Sequence, residues 1–276
     1  MTGVAGSTHG MRFVILGCGS SGGVPRIAGG WGACDPAEAR NRRRRCSALV
    51  ERRGPDGVTR VLIDTSPDLR EQLLDAGVEA LDAVVYTHEH ADHTHGIDDL
   101  RAITIATGRL VDAYLDAKTS ALLRERFGYC FITPEGSDYP PILVDRRIEP
   151  GGAFTVHGQG GPIRFMPLRL VHGSIDALGF RIGGLAYTPD LNAIPDESVP
   201  FLEGLDTWVI DALRPRPHPS HFSLQEALEW VRRLKPRRAV LTNLHVDLDY
   251  RWLERTLPEG VRPAHDGLEL MIEEAP

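Results

Sequence analysis

Residues 83–96 read AVVYTHEHADHTHG, a short apolar run that opens into three imidazoles and a carboxylate within six positions: His88, His90, Asp92 and His93. In extended backbone, residues i and i+2 point to the same side, so His88 and His90 share a face. The turn that follows can bring Asp92 and His93 round to face a second ion. Mixed nitrogen and oxygen donors suit Zn²⁺, Mn²⁺ or Fe. The alternative is a solvated polar loop, but imidazoles at this density seldom sit at the end of an apolar strand without a site.

Working outward, residues 11–16 read as a strand that enters the glycine-rich stretch 17–23 and then a loop, 24–45, with few periodic apolar positions. Residues 46–52 and 58–64 flank the turn GPDG and read as a hairpin. PDLREQLLDAG, 67–77, starts with proline, stops at glycine and reads as a helix, and a second helix is expected from about Gly96 to Thr107. In the second half, 163–170, 178–187, 207–213 and 239–242 read as strands and 223–234 as a helix. Two blocks of strands, each followed by helices, predict sheets packed face to face with helices outside, an α+β arrangement. Residues 11–276 are expected to form one domain, and the small, polar residues 1–10 a disordered extension.

Composition narrows the function. Lys and Arg total 31 against 38 Asp and Glu, a formal charge of -7, so no broad basic field exists to gather a polyanion and no stable nucleic-acid partner is expected. Arg42 to Arg45 form one local basic run; four consecutive arginines cannot all face one site, and a solvated edge is at least as good a reading as phosphate contact. Cys18, Cys34, Cys46 and Cys130 include no CxxC pair and read as reduced thiols. With no signal-like opening and no apolar run of about 18 residues, the expectation is a cytoplasmic protein away from membranes.

The stretch HxHxDH, completed by Gly96 as HxHxDHxxG, resembles the signature of the metallo-β-lactamase fold superfamily. That resemblance implies a four-layer αββα sandwich and further ligands downstream. His172, in LRLVHG, matches a later metal-binding histidine; Asp190, in AYTPD, matches a carboxylate that bridges two ions; Asp64, in LIDTS, matches a residue that orients ligands from behind. His95 is expected to support the ligands in the same way. The chain departs from the pattern where a final histidine is usual, because LTNLHVDLDY places Asn243 there. His245, two residues on and facing the same side if the strand continues, is taken as the seventh ligand, with Asn243 as the alternative or as a supporting residue. The implied cofactors are two divalent ions, Zn or Mn, with Fe a third candidate.

Four segments, GCGSSGGVPR, NRRRRCS, HTHGIDDLR and TNLHVDLDY, resemble the phosphodiesterase branch that includes phosphoribosyl 1,2-cyclic phosphate phosphodiesterase. This implies a small-molecule phosphodiester substrate and attack by metal-activated water, with Asp92 serving the catalytic centre. His221, in HPSHFSLQEAL, matches a histidine that protonates the leaving group; His218 reads as a loop residue and Ser223 as a helix cap. The competing activity is hydrolysis of a carboxylic ester, thioester or lactam, and the competing class is a metal-binding accessory protein without turnover. A homodimer is compatible with either. Relatives of this branch can carry a cysteine-bound zinc in the first loop, but only Cys34 stands in that loop, so no such site is expected. Residues 17–22 fit GxGxxG, yet Val24-Pro25-Arg26 cannot start the helix that dinucleotide binding needs, so these glycines read as a tight turn beside the metal site.

Overall fold

Side-chain alternation along the first strand, β1 (Gly10–Gly17), sets the layers. Phe13 and Ile15 point one way and Val14 and Leu16 the other, and all four are buried, as in a strand covered on both faces. The computed structural model describes residues 10–273, so all but Gly10 of the expected N-terminal extension lies outside the described residues.

The first half continues with β2 (Ser47–Gly54), β3 (Gly57–Ile63), α1 (Leu69–Asp75), β4 (Ala83–Val85), α2 (Ala91–Thr94), α3 (Leu100–Thr107), β5 (Val111–Leu115), α4 (Ala117–Phe127) and β6 (Leu143–Arg147). The second half runs β7 (Phe154–Val156), β8 (Ile163–His172), β9 (Ile175–Ile182), β10 (Leu185–Thr188), β11 (Thr207–Asp211), α5 (Leu224–Leu234), β12 (Arg238–Thr242), α6 (Tyr250–Thr256), β13 (Val261–Pro263) and β14 (Leu268–Ile272). Two seven-stranded sheets result, in the orders β14-β1-β2-β3-β4-β5-β6 and β13-β12-β11-β10-β9-β8-β7. The last strand thus returns to pair with the first and joins the two ends of the described chain.

Phe13, Ile15, Val61 and Val85 pack between the sheets against Phe165, Phe180, Val209 and Val240. On the outer face of the first sheet, Val14, Leu62 and Val84 meet Leu69, Leu100 and Leu123 of the helices; on the outer face of the second, Trp208 and Leu241 meet Ala227 and Leu253. This is the four-layer αββα sandwich. Helix α5 starts as expected at Ser223, in a capping box with Glu226. The span 178–187 is two strands and not one: Gly183 turns the chain at φ 55, and a side chain there would lie 2.7 Å from the Glu273 carbonyl. Among the described residues no helix is long and apolar enough to cross a membrane.

Strands β3–β4 and β10–β11–β12 run parallel to their neighbours, so their carboxyl ends gather at a common edge within each sheet. Asp206 ties the opposite, starting ends of β11 and β12 by accepting hydrogen bonds from Arg237, Arg238 and the Thr207 hydroxyl. Burial alone would raise its carboxyl, but these donors overcome burial and hold it down at about 2, against an ordinary 3.8. A depressed folded value means that the stabilisation is complete above the ordinary value and is lost as pH falls through the folded one. Asp206→Asn should therefore lower the urea midpoint at neutral pH, and its deficit relative to wild type should shrink as the titrations are repeated from pH about 4 toward about 2.

Candidate metal centre

Strand β3 ends at Ile63, and the next residue, Asp64, adopts φ 61, a left-handed conformation that turns its carboxylate back under the end of β4. Its Oδ1 accepts the Thr87 amide at 2.7 Å, and its Oδ2 accepts the Thr87 hydroxyl at 2.7 Å and lies 2.8 Å from His93 Nδ1. These bonds fix protons. Thr87 has one hydroxyl proton, spent on Asp64, so His88 Nδ1, 2.9 Å from the same oxygen, must donate to it. His88 Nε2 is then a bare lone pair, and it is buried with no hydrogen-bond partner.

The same logic fixes two more imidazoles. His93 donates from Nδ1 to Asp64, leaving Nε2 facing Asp190 Oδ2 at 3.1 Å and Asp92 Oδ2 at 3.5 Å. His172, the last residue of β8, has Nδ1 2.6 Å from the Ser220 carbonyl and so donates there; its Nε2 lies 3.2 Å from His90 Nδ1. Asp190 Oδ2, past the end of β10, is buried and has no hydrogen-bond partner. Bare nitrogens and an unpaired carboxylate oxygen converging in a buried site fit divalent cations, whose ligands must be deprotonated and held from behind. Ligand atoms come within 4.8 Å of one another in three overlapping groups: His88, His90 and His172; His88, His93 and Asp190; His172, Asp190 and His221. Burial, and then the neighbouring imidazoles, push His88 well below its usual range and keep it neutral. Burial opposes ionisation of Asp190, but His93, whose imidazole the carboxylates of Asp190, Asp92 and Asp64 raise well above its usual range while no ion is bound, and then His221 hold its carboxyl well below the usual carboxylate range.

His221 has a carboxylate behind it that the sequence reading missed. Asp211, the last residue of β11, is fully buried, and its Oδ2 lies 2.9 Å from His221 Nδ1 and accepts the Leu191 amide at 3.2 Å. Burial raises Asp211 to about 7; His221, although burial works against its charge, is raised by Asp211 and then Asp190 to about 9. The proton of the pair therefore rests on the imidazole near neutral pH. The available clue was a lone acid closing an otherwise apolar strand, TWVID, just as Asp64 follows VLI.

Three expectations are revised. His245 does not join the ligand groups among the described residues: Asn243 takes φ 60, so the strand stops at Thr242 and its alternation does not carry over. The His245 amide donates to Leu213 and its ring sits 3.1 Å from Asp247. His95 is exposed, with its edge against Phe127, because two residues along a helix rotate a side chain by about 200° away from His93. Asn243 takes the supporting position, its amide donating to Asp190 Oδ1 at 3.2 Å and to the Pro189 carbonyl at 3.1 Å. Of the four arginines only Arg42 is exposed as a solvated edge would be. Arg43 is buried and bonds the carbonyls of His245 and Leu248, while Arg44 and Arg45 pair with Asp75, Asp266 and Asp68. The glycines ahead of them permit a close backbone approach: a side chain at Gly17 would lie 2.1 Å from the Arg45 carbonyl. Cys34, buried, sits against the carbonyls of Val246 and Leu248.

Comparison with known proteins agrees with this geometry. The chain belongs to the metallo-β-lactamase superfamily: the family model for a beta-lactamase superfamily domain matches residues 59–243, which include every residue of the three ligand groups and both supporting aspartates. Within that superfamily the chain is similar to a diphosphatase from the PhnP family, whose crystal structure is 36% identical, with a TM-score of 0.83 over 96% of this chain and 99% of that one. An octanoyltransferase of Porphyromonas gingivalis (strain ATCC BAA-308 / W83) is 35% identical over 269 residues, 96% of this chain but 52% of that protein, so the chain spans about half the length of that relative. A coenzyme PQQ synthesis protein B from Methylobacterium sp. (strain 4-46) is 27% identical over 229 residues, covering 73% of this chain and 72% of that protein. The Zn²⁺-bound PqqB structure from Methylobacterium extorquens, 18% identical with a TM-score of 0.73, shares the fold. Family and cluster together support a metal-dependent hydrolase.

Asp64→Asn tolerates the left-handed backbone, yet it has one accepting oxygen where the carboxylate has two, and cannot accept from the Thr87 amide at one atom and from the Thr87 hydroxyl and His93 at the other. It is expected to weaken metal retention about 10- to 100-fold, measured by metal analysis after dialysis against graded chelator. His245→Ala should keep the wild-type metal content.

Proposed function

We propose that the chain is a dinuclear metal-dependent phosphodiesterase acting on a small cyclic or nucleotide-like phosphodiester. His88, His90, His172 and Asp190 would hold one ion and Asp92, His93 and Asp190 the other, Zn or Mn. When bound, such ions neutralise phosphoryl oxygens and bring the pKa of water toward about 7.

The observation that carries the reading is the Asp211–His221 pair beside His172 and Asp190. Displacing an alkoxide from phosphorus is the difficult half of the reaction, and it needs a proton at the departing oxygen. His221 Nδ1 is engaged by Asp211, which leaves Nε2–H as the proton to deliver; Asp211 keeps the imidazole charged and aimed. The diphosphatase neighbour supports phosphorus as the centre attacked. Hydrolysis of a carbonyl ester or thioester is the second reading, and such leaving groups depart with less need of an acid. The place of His221 in one ligand group also supports a second role for it, as the ligand that Asn243 does not supply.

The test begins with bis(p-nitrophenyl) phosphate, which the protein should hydrolyse with Mn²⁺ or Zn²⁺ and not after chelation, at the expense of thioester and lactam substrates in the same panel. His221→Ala should keep both ions and lose rate by about 10²- to 10⁴-fold on a ribose cyclic phosphate. Its deficit should be much smaller on the p-nitrophenyl ester, whose phenolate leaves without a proton. Loss of an ion together with an equal deficit on both substrates would make His221 a ligand and not the acid.

A further inference from the structure

Four of the five imidazoles in the ligand groups are held from behind: His88 by the Thr87 hydroxyl, His93 by Asp64, His172 by the Ser220 carbonyl and His221 by Asp211. His90 is the exception. It is exposed, and among the described residues the one hydrogen-bond contact of its ring is His172, itself a candidate ligand. What restrains it lies one residue back. The ring centres of His88 and His90 are 4.6 Å apart, and the Glu89 side chain between them leaves the imidazoles for helix α4. Its carboxylate is buried; Oε1 lies 2.9 Å from Lys118 Nζ, and Oε2 has no hydrogen-bond partner. The Glu89 carbonyl accepts from Arg126 Nη1 at 2.6 Å, and the next residue of α4, Phe127, meets the His95 ring edge-on. Helix α4 is itself fixed, with Leu123 in the core and Ser120 and Arg124 both bonded to Asp145 of β6.

We infer that Lys118 and Arg126 are positioning residues for the metal centre, acting on His90 through Glu89. This rests on the two-ion reading proposed above. Among the described residues Lys118 is the one cation paired with the Glu89 carboxylate. Removing its charge would leave a buried carboxylate uncompensated, a costly state for a group shielded from water. Glu89 would then have to turn outward to be hydrated, and its backbone carries His88 on one side and His90 on the other. His88 has a hydrogen bond of its own to keep it in place; His90 has none. The displacement therefore falls on His90, and on the ion it would share with His88 and His172.

Hydrogen exchange of the full-length protein after chelation reads this tether without an ion. In Lys118→Met, peptides covering residues 88–96 should exchange about tenfold faster than in wild type, with those of β8 unchanged. In zinc competition against graded chelator, the same variant should hold one ion about tenfold more weakly and the other within about twofold. Adding Glu89→Gln should restore most of both losses, since a neutral amide needs no cation; a helix α4 that had merely come loose would not respond to it. Arg126→Met should speed exchange of the same peptides, and it carries the test if Lys118→Met does not fold. Wild-type exchange or wild-type zinc affinity in Lys118→Met, or a double variant as impaired as the single one, overturns the positioning role. Uptake of a single ion by wild type sinks the two-ion reading alone, because Lys118→Met is then scored on that ion.

Discussion

The Asp64 carboxylate is the contact on which the centre depends. It accepts from two elements at once, the turn beyond β4 through Thr87 and helix α2 through His93, and does so from a backbone conformation that few side chains adopt. From its acceptor-only character follow the proton on Thr87, hence the tautomer of His88, and the tautomer of His93. Three hydrogen bonds therefore decide which nitrogens face inward before any ion arrives. Buried and fully engaged, the group is rigid in the way that preorganised ligands require.

The second half of the chain repeats the device with a different outcome. Asp211 stands at the end of β11 as Asp64 does beyond β3, and each holds the Nδ1 of a histidine from a following segment. The side chain of His93 is 1% exposed and its other nitrogen faces Asp190; that of His221 is 15% exposed and sits at the rim. One aspartate–histidine pair is closed and suited to holding a metal. The other is open enough to exchange its proton with solvent or substrate, and exposure, not residue type, separates the two.

What could be read from residue order follows the same division. The HxHxDH run was legible because its ligands are consecutive and end an apolar strand; His172 and Asp190 were legible through the resemblance, each also lying at a strand end. Asp64 stood out for the same reason. His245 was misplaced because strand alternation was extended across Asn243, and a left-handed turn at a residue other than glycine leaves little trace in sequence. His95 was drawn in by proximity in sequence, although helical rotation sends it to the surface. Asp211 was overlooked since its partner lies ten residues on, and the buried role of Arg43 since four arginines in a row look like surface. The strands and helices left unassigned, α2, which was read as a turn, and β5, α4, β6, β7, α6, β13 and β14, include short edge strands whose pairing is decided by neighbours far along the chain.

Because the candidate ligands come four from the first half of the chain and three from the second, the centre does not exist until the two sheets have docked. Neither half of the chain carries a complete set: His88, His90, Asp92 and His93 lie before β7, and His172, Asp190 and His221 after it. An ion that binds this cluster binds the native state and not the unfolded chain, so it acts as a clasp across the sandwich, adding stability in proportion to the logarithm of its free concentration over its dissociation constant. The resistance of this protein to unfolding would thereby be tied to the metal supply of its surroundings, rising with each increment of free ion and falling back to that of the bare sandwich when the ion is withdrawn.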